Sequence, residues 1–455
     1  MSSAGRMRRT AAVVLASGVA VGALGAGLAG ASNGDRTKDV RAAVKGGKAR
    51  NVILLIGDGM GDSEITAARN YSVGAAGRLN MDRFPLTGAY TTYALQKANP
   101  KLPEYVTDSA ASGTGWATGH KSYNGAISVT PDGKPKKTIL ELAKSAGFRT
   151  GDVTTAELSD ATPAVLASHV VDRSCQGPAD MKSCPANAKE NGGAGSIVEQ
   201  QVQTGADLYL GGGKARWDQT VKAGKYKGKT VIDQAKNSGY NVVTDAAGLA
   251  AAKPSRNGKL LGLFADVNMP QEWTGPLART GGTDPSKCTP NQQFSGPHLS
   301  QMATKAINVL DGQSRHGKKG FFLQIEGASI DKRDHAADPC GQIGETVEFD
   351  KAVKAALDFA RRNPDTLVVT TADHGHTSQI IPLEAKSPGQ TATLITADGA
   401  QMKMNYATMP AGESQEHTGT EVRIAARGPQ AANVTGVTDQ TDLFSTITRA
   451  LGVRR

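Results

Sequence analysis

Short apolar runs without polar alternation recur along this chain. Residues 51–56, 321–325 and 366–371 are each rich in Val, Ile, Leu, Phe or Thr. Runs of this length and composition are typical of strands buried on both faces, as in a parallel sheet. Weaker patterns of the same kind predict further strands at residues 148–155, 206–210 and 421–426.

Other stretches are compatible with helices, several of them with apolar residues at helical spacing. They predict helices at residues 63–69, 138–146, 299–310, 345–361 and 439–451. The chain of 455 residues is long enough for one large α/β domain or two ordinary ones, and 38% hydrophobic residues suit a soluble globular protein. This composition does not suggest a fibre or a disordered protein.

Each of the three strongest apolar runs is followed within two residues by a carboxylate. Asp58 follows the first run, Glu326 the second and Asp373 the third. Because ligands gather beyond the carboxyl ends of the strands in an open parallel sheet, we expect these acids to converge on one rim.

Asp58 lies in a glycine-rich turn, where an acid would repel a bound pyrophosphate. We therefore interpret Asp58 as a metal ligand and not as part of a phosphate-binding loop.

Histidines accompany these acids. Asp331 and His335 are four residues apart, so a helix would present both to one ion. His374 and His376 follow Asp373, and His417 lies in a polar loop. Several carboxylates in one cleft repel each other unless cations hold them. A mixed nitrogen and oxygen shell fits zinc, while an all-oxygen shell fits magnesium, so the sequence predicts a metal cluster.

Ser109 is the candidate nucleophile beside this cluster. It follows Asp108 and precedes small residues that could begin a helix, which would place its hydroxyl at the positive end of a helix dipole. The same pattern is also that of an ordinary N-cap. Asp160 and Thr162 stand just ahead of Pro163, at another predicted helix start. Arg173 could grip a phosphate with two donors.

Six motifs, in order, resemble the bacterial alkaline phosphatase family. The resemblance runs from about Asn51 to the C-terminus and is carried by these segments: Leu55–Asp62, Asp108–Ser112, Asp160–Pro163, Glu326–His335, Thr371–His374 and Glu416–Gly419. It implies an α/β fold, a three-layer α/β/α sandwich with a large, mostly parallel central sheet. The implied activity is metal-dependent hydrolysis of phosphate monoesters.

The resemblance also implies a role for each candidate residue. One zinc would be held by Asp331, His335 and His417, and a second by Asp58, Asp373 and His374 together with the Ser109 oxygen. A magnesium would be held by Asp58, Thr162 and Glu326. Ser109 would form a covalent phosphoserine, and Arg173 would hold the non-reacting phosphate oxygens. The remaining implied roles are positioning of substrate and water by Asp108, Asp160 and Lys332, and orientation of a metal ligand by His376.

The N-terminal residues have the features of an export signal. Arg6, Arg8 and Arg9 precede an apolar run and small residues at 29–31, so we expect residues 1–31 to be removed on export to the cell envelope or beyond. A membrane anchor is the alternative, since the run is nearly long enough to span a bilayer. Residues 32–50 are predicted to be a flexible arm. One catalytic domain, 51–455, is expected to follow, with insertions around 184–320.

Four cysteines agree with an exported protein. Cys175, Cys184, Cys288 and Cys340 all lie after the predicted signal, and none forms a C-x-x-C pair. The simplest pairing joins Cys175 to Cys184 and Cys288 to Cys340, but three pairings are possible and the sequence does not decide among them.

The family is usually dimeric, so a homodimer is also implied by the resemblance.

The charge and the motifs weigh against rival functions. The net charge is +10, or 10 − 3 = +7 without the three N-terminal arginines, but the cations are scattered and not interleaved with aromatics. We therefore expect no nucleic-acid specificity. A basic surface would attract small anionic substrates, and the resemblance implies that these are phosphomonoesters. The C/S-x-P-x-R context of sulfatases is absent around Ser109, and related diesterases generally use threonine. A non-catalytic metal or phosphate-binding protein is the remaining alternative.

Overall fold

The computed structural model describes residue 1 and residues 35–454, apart from 316 and 318. Residues 2–34 therefore lie outside the described residues, and so does nearly all of the predicted export signal. The strands, in chain order, are β1 Asn51–Gly57, β2 Leu86–Thr91, β3 Ala94–Leu95, β4 Pro103–Glu104, β5 Arg149–Glu157, β6 Leu208–Gly212, β7 Tyr240–Val243, β8 Lys259–Leu263, β9 Trp273–Thr274, β10 Thr289–Pro290, β11 Phe321–Gly327, β12 Thr366–Ala372, β13 Gln379–Ile381, β14 Gln390–Ile395, β15 Gln401–Tyr406, β16 Val422–Arg427 and β17 Gly436–Asp439.

The helices alternate with these strands over most of the chain. In order they are α1 Thr37–Ala43, α2 Asp62–Val73, α3 Ser109–Thr118, α4 Ile139–Ser145, α5 Ala161–Ala167, α6 Ile197–Thr204, α7 Lys214–Trp217, α8 Val231–Asn237, α9 Ala246–Ala251, α10 Leu299–Ser314, α11 Ser329–His335, α12 Pro339–Arg362 and α13 Gln440–Leu451.

In the described part of the chain, ten strands form one large sheet. Their order is β17-β2-β16-β12-β1-β11-β5-β6-β8-β7. Every neighbouring pair is parallel except the two that involve β16, which runs antiparallel to β12 and β2. Helices pack on both faces, with α10 and α12 on one side and α3, α5 and α13 on the other. The predicted three-layer α/β/α sandwich with a mostly parallel sheet is confirmed.

The three strongest apolar runs form adjacent strands at the centre of the sheet. Strand β1 lies between β11 and β12, and all seven residues of each of these strands are buried. This burial on both faces explains why the runs lack polar alternation. The register pairs Gly57 with both Gly327 and Ala372, so the three strands end level with one another. Their carboxyl ends therefore form one rim.

Two segments differ from the sequence-based expectation. Residues 32–50 were predicted to be a flexible arm, but the described part of this segment contains helix α1, and the buried Ala49 donates its N–H to the Ala450 carbonyl. Residues 184–320 were expected to supply insertions, yet β6, β7 and β8 extend the central sheet itself. Their strand patterns were weak because the runs are short, and those of β6 and β8 also contain glycine.

Both disulfides form with the simplest pairing. Cys175 is bonded to Cys184, and Cys288 is bonded to Cys340. Cys288 and Cys340 link the segment around β10 to the first turn of α12, which carries much of the core on one face of the sheet. None of the four cysteines is free.

Candidate active site

The acids that follow the central strands meet at the carboxyl rim of the sheet. Asp58 follows β1, Asp373 follows β12, and both side chains are buried. Gly59 has a φ of +66°, and its N–H donates to Asp373 Oδ1 at 2.9 Å. A Cβ at Gly59 would lie 3.0 Å from His376 Cδ2 and 3.1 Å from Asp331 Cα. Glycine is therefore required here both for the backbone conformation and for the close approach of the site.

One group of donors surrounds Asp331, which lies on α11. Its Oδ1 is 3.2 Å from Nε2 of His376 and of His417, and 3.4 Å from Nε2 of His335. The Nε2 atoms of His335 and His417 are 3.2 Å apart. Two zinc ligands with bonds of 2.0–2.1 Å at a tetrahedral angle are about 3.3 Å apart. The spacing of Asp331, His335 and His417 therefore fits one ion.

Backbone carbonyls orient the rings in this centre. Nδ1 of His335 faces the Gln415 carbonyl, and Nδ1 of His417 lies 3.0 Å from the Thr107 carbonyl. His374 Nδ1 lies 3.2 Å from the Gly375 carbonyl. A carbonyl can only accept, so each Nδ1 carries a proton, and in the neutral ring each Nε2 has a free lone pair. This is the usual arrangement for histidines that bind a metal through Nε2.

His376 differs from the other three histidines. Its Nδ1 accepts a hydrogen bond from the Thr377 N–H at 2.9 Å, so in the neutral ring the proton is on Nε2. That Nε2 points at Asp331 Oδ1, 3.2 Å away, and can donate to it. Although His376 belongs to the same group of close donors, its tautomer suits a residue that orients Asp331.

A second group of donors adjoins the first and includes the candidate nucleophile. His374 Nε2 lies 3.4 Å from Asp58 Oδ1 and 3.3 Å from Asp373 Oδ2. The Ser109 Oγ is 3.4 Å from the same nitrogen. The separations again match those of donors around one tetrahedral ion, with the serine oxygen as the fourth. Ser109 is thus beside a candidate metal position.

The N-terminus of α3 holds Ser109 in place. Asp108 is the N-cap of this helix, and its Oδ1 accepts from the Ala111 N–H at 2.9 Å. Ser109 is the first residue of the helix, and its side chain is buried. The sequence allowed an ordinary N-cap or a serine at the positive end of a helix dipole. The structure shows both, because Asp108 caps the helix and Ser109 is its first residue.

Arg173 is held by two carboxylates. Its guanidinium donates to Asp108 Oδ2 at 3.1 Å and to Asp160 Oδ1 at 2.7 Å, while Lys332 Nζ lies 2.9 Å from Asp160 Oδ2. Burial alone would raise the pKa of Asp160, but the charges of Lys332 and Arg173 hold that pKa well below its usual value. Asp160 thus remains ionised and links the two cations.

Glu326 and Thr162 are the other oxygen donors that the sequence predicts to act with Asp58. Glu326 is inside β11, where it accepts a hydrogen bond from the Thr154 hydroxyl, and burial raises its pKa to about 7. Thr162 is the second residue of α5, directly after the Asp160 cap. Both side chains are buried, and the charge of Glu326 adds to the effect of burial in raising the pKa of Asp58. Oxygen donors of this kind fit magnesium.

Several buried polar atoms of the site have no hydrogen-bond partner within the described residues. They are Asp58 Oδ1, Thr162 Oγ1, Asp331 Oδ1 and Asp373 Oδ2. Burial raises the pKa of Asp58 well above its usual value, and burial together with the Asp331 charge raises the pKa of Asp373 to about 6. Buried acids without partners are costly unless cations neutralise them. The donor set therefore fits bound metal ions.

Some residues that support the site could not be found from the sequence. Gln440 donates to the Ser112 hydroxyl and, at 2.7 Å, to the Asp373 carbonyl, which joins α13 to α3 and to the metal rim. Thr154 orients Glu326, and the Thr107 and Gln415 carbonyls orient histidines. No sequence motif identifies these residues. A lone Thr or Gln near a strand end is common, and the Thr107 and Gln415 contacts come from backbone carbonyls, which residue types do not reveal.

Gly113 has a packing role in the helix that begins with Ser109. Gly113 and Gly115 are the two glycines of this helix. The structure adds that a Cβ at Gly113 would lie 2.9 and 3.0 Å from the two γ-methyl carbons of Val165 on α5. A Cβ at Gly115 would meet Gln440 Cβ at 3.4 Å, an ordinary contact.

We expect Gly113→Ala to destabilise the protein by about 1–3 kcal/mol, because Val165 is β-branched and cannot move its methyl groups away by changing rotamer. Gly115→Ala is the matched control and should be neutral or stabilising by up to about 1 kcal/mol from helix propensity. Denaturant unfolding of both variants measures this difference. Equal effects would show that α3 does not require a glycine at position 113.

The sequence model of the alkaline phosphatase family matches residues 49–412 and 391–453. The chain belongs to the alkaline phosphatase family. It is an enzyme that hydrolyses phosphate monoesters. Alkaline phosphatases are metal-dependent, and the two groups of close donors give this chain the residues to hold metal ions.

Relatives of similar length agree with this assignment. The alkaline phosphatase of Escherichia coli K12 is 55% identical over 429 residues, which cover 92% of this chain and 90% of the relative. A streptomycin-6-phosphate phosphatase of Streptomyces griseus is 54% identical over 413 residues, which cover 89% of this chain and 91% of the relative.

A solved structure confirms the alkaline phosphatase fold. The crystal structure of Thermus thermophilus alkaline phosphatase superposes with a TM-score of 0.67 at 23% identity and covers 93% of this chain and 96% of its own. Among the described residues, no helix combines the length and the apolar character needed to cross a membrane.

Proposed function

We propose that this alkaline phosphatase works through a covalent phosphoserine formed on Ser109, with two zinc ions and one magnesium ion bound beside it. The observation that carries this proposal is the Ser109 Oγ, 3.4 Å from His374 Nε2, completing a set of donors with Asp58 and Asp373. A serine hydroxyl needs activation, and within the described residues its close polar neighbours are metal-binding groups.

The donor chemistry supports the choice of ions. Asp331, His335 and His417 form one mixed nitrogen and oxygen set, and Asp58, Asp373, His374 and Ser109 form another, as zinc prefers. Asp58, Thr162 and Glu326 offer only oxygen, as magnesium prefers. When bound, the zinc ions would stabilise charge on the attacking and leaving oxygens.

The residues around Ser109 then have separate tasks. Ser109 attacks phosphorus with its Oγ, the bond from phosphorus to the leaving oxygen breaks, and water later releases phosphate from the serine. Arg173 presents its donors to the non-reacting oxygens, in a direction set by Asp108 and Asp160. Lys332 is held by Asp160 and adds positive charge near the phosphate. His376 orients Asp331 through the contact of 3.2 Å between its Nε2 and Asp331 Oδ1.

The test compares an aryl phosphate monoester with the matching diester, with and without a chelator. We expect rapid hydrolysis of the monoester, much slower hydrolysis of the diester, and loss of activity on chelation that zinc and magnesium together restore. Monoesterase activity that survives complete metal removal would disprove the metal-centre proposal. A preference for the diester would instead favour a phosphodiesterase of the same superfamily.

We also infer export and a homodimer. The two disulfides support export, because such bonds persist in oxidising compartments. The homodimer rests on the family resemblance. Secretion of the enzyme with its first 31 residues removed, and its mass in solution, test these two inferences separately.

A further inference from the structure

The amino ends of the central strands carry a row of cations at the edge opposite the active site. Arg50 directly precedes β1, Lys319 lies two residues before β11, and Lys259 is the first residue of β8. Their strands follow one another in the sheet as β1-β11-β5-β6-β8. Because neighbouring strands are about 4.8 Å apart, these side chains follow a line along the edge.

Three adjoining cavities widen this row into a surface. One of about 250 Å³ is lined by Lys144, Arg256 and Lys319. It shares Lys319 with a cavity of about 280 Å³ that includes Lys48 and Arg50, and it shares Arg256 with one of about 480 Å³. We define the basic edge as the following six residues: Lys48, Arg50, Lys144, Arg256, Lys259 and Lys319.

The cations of the basic edge lack counterions in the described part of the chain. None of the six forms an ion pair there: Arg50 donates to a backbone carbonyl, and Lys319 and Lys259 lie over aromatic rings. Of the two carboxylates on this edge, Asp207 is engaged by Arg149 at 2.7 Å, and Asp365 is not within ion-pair distance of the six.

Like charges face each other on this surface. Burial and the charge of Lys144 lower the pKa of Lys259, although Asp207 acts in the opposite sense. Burial and the charge of Lys253 likewise lower the pKa of Lys305, in the adjoining cavity. Cations are favourable near helix C-termini, which accounts for Lys144 in the last turn of α4. A helix C-terminus does not account for four other lysines and arginines of the basic edge, which lie outside helices: Lys48, Arg256, Lys259 and Lys319.

Within the described residues, the basic edge has no exposed aromatic ring on which a base could stack. Phe148 and Tyr240, the aromatic residues below Lys319 and Lys259, are both about 95% buried. Among the described residues, the exposed tyrosines are Tyr93 and Tyr105, which belong to the segments that lead to Ser109. Proteins that bind single-stranded nucleic acid combine positive charge with such rings.

We propose that the basic edge binds a linear polyanion without bases, such as a polyol phosphate chain. The row of cations matches a polymer with regularly spaced charges, and its phosphodiester links differ from the monoesters that the active site hydrolyses. The bound polymer leaves the carboxyl rim open, so the enzyme stays active while attached. Binding does not depend on the phosphoserine mechanism, and either can fail without the other.

The test uses synthetic poly(glycerol phosphate) and the full-length mature enzyme. The variant Lys144→Gln/Arg256→Gln/Lys319→Gln removes three charges from the basic edge. The control Lys225→Gln/Lys227→Gln/Lys229→Gln removes three exposed lysines just before α8, whose first turn faces the opposite edge of the sheet. We measure binding over a range of salt concentrations and hydrolysis of an aryl phosphate by all three proteins.

We expect the basic-edge variant to bind the polymer at least tenfold more weakly at low salt, while the control stays within twofold of the wild type. In a plot of the logarithm of the binding constant against the logarithm of the salt concentration, the negative slope should become less steep by about 2. The reason is that the variant has three fewer cations and releases fewer counterions on binding. Hydrolysis should be unchanged in all three proteins. Equal losses of affinity in both variants would overturn the proposal, because they would show that only the net charge of the protein matters. If the wild-type enzyme does not bind the polymer, the proposal is wrong. If it binds DNA of equal charge more tightly than the polymer, the basic edge is a nucleic-acid site instead.

Discussion

Ser109→Ala should abolish the phosphoenzyme and lower kcat for a phosphate monoester by about a thousandfold or more, equivalent to about 4 kcal/mol. Ser109 carries the one hydroxyl among the described donors of the second group, and its Oγ lies 3.4 Å from His374 Nε2. Without it, a water molecule must attack in one step. Acid quenching with radiolabelled substrate measures the phosphoenzyme, and elemental analysis measures the bound metal.

The activity that remains should be above zero, because the substitution leaves the metal ligands and Arg173 in place. Zinc content should be unchanged, since His374, Asp58 and Asp373 still form their group. Ser112→Ala is the control, one turn further along α3, where the hydroxyl donates to the Asp373 carbonyl. It should reduce kcat less than tenfold. Loss of zinc in Ser109→Ala would instead mean that the serine mainly supports the metal site.

The convergence of the acids could be predicted because it depends on local signals. Asp58 and Asp373 each follow an apolar run closely, and the carboxyl ends of parallel strands meet at one rim. The sheet order could not be predicted in this way. That β1 lies between β11 and β12, which are more than 250 residues away in sequence, depends on how the crossover helices pack.

The roles of the histidines needed the structure for a different reason. His374 and His376 are two residues apart with similar sequence surroundings, and their difference lies in what each Nδ1 contacts. The Gly375 carbonyl accepts from His374, whereas the Thr377 N–H donates to His376. Such contacts depend on backbone direction within a few residues, which residue types alone do not specify. The same holds for α1, in a polar segment without periodicity.

Removal of all bound metal should lower the Tm strongly and make stability depend more steeply on pH between about 4.5 and 9. Each tightly bound zinc stabilises the folded state by about 4 kcal/mol when free zinc is a thousandfold above its Kd. Without ions, burial raises the pKa of Glu326 to about 7. Burial alone would lower the pKa of His417, but its hydrogen bond to Asp331 and the charge of that residue raise it to about 9. Both values lie above those of the unfolded chain.

A raised folded-state pKa means that the folded protein holds a proton that the unfolded chain releases, so stability is lost as the pH rises through the folded-state value. The metal-free enzyme should therefore lose stability through Glu326 between about pH 4.5 and 7, and through His417 between about pH 6.5 and 9, by up to about 1.4 kcal/mol per pH unit for each group. His374 and His376 have lowered pKa values and act in the opposite sense, but only below about pH 6.5, where the unfolded chain takes up protons.

In the metal-loaded enzyme the ions take the place of these protons, so the contributions of Glu326 and His417 should disappear. A weaker pH dependence should remain from buried acids outside the metal site, such as Glu345, whose pKa burial raises to about 8. Thermal unfolding of chelated, untreated and reloaded enzyme at several pH values measures both effects, and reloading should restore the untreated curve. A chelated enzyme with an unchanged Tm would show that the buried acids do not need cations. A Tm that rises with pH in the chelated enzyme would mean that Glu326 and His417 are not protonated at neutral pH and that another group dominates.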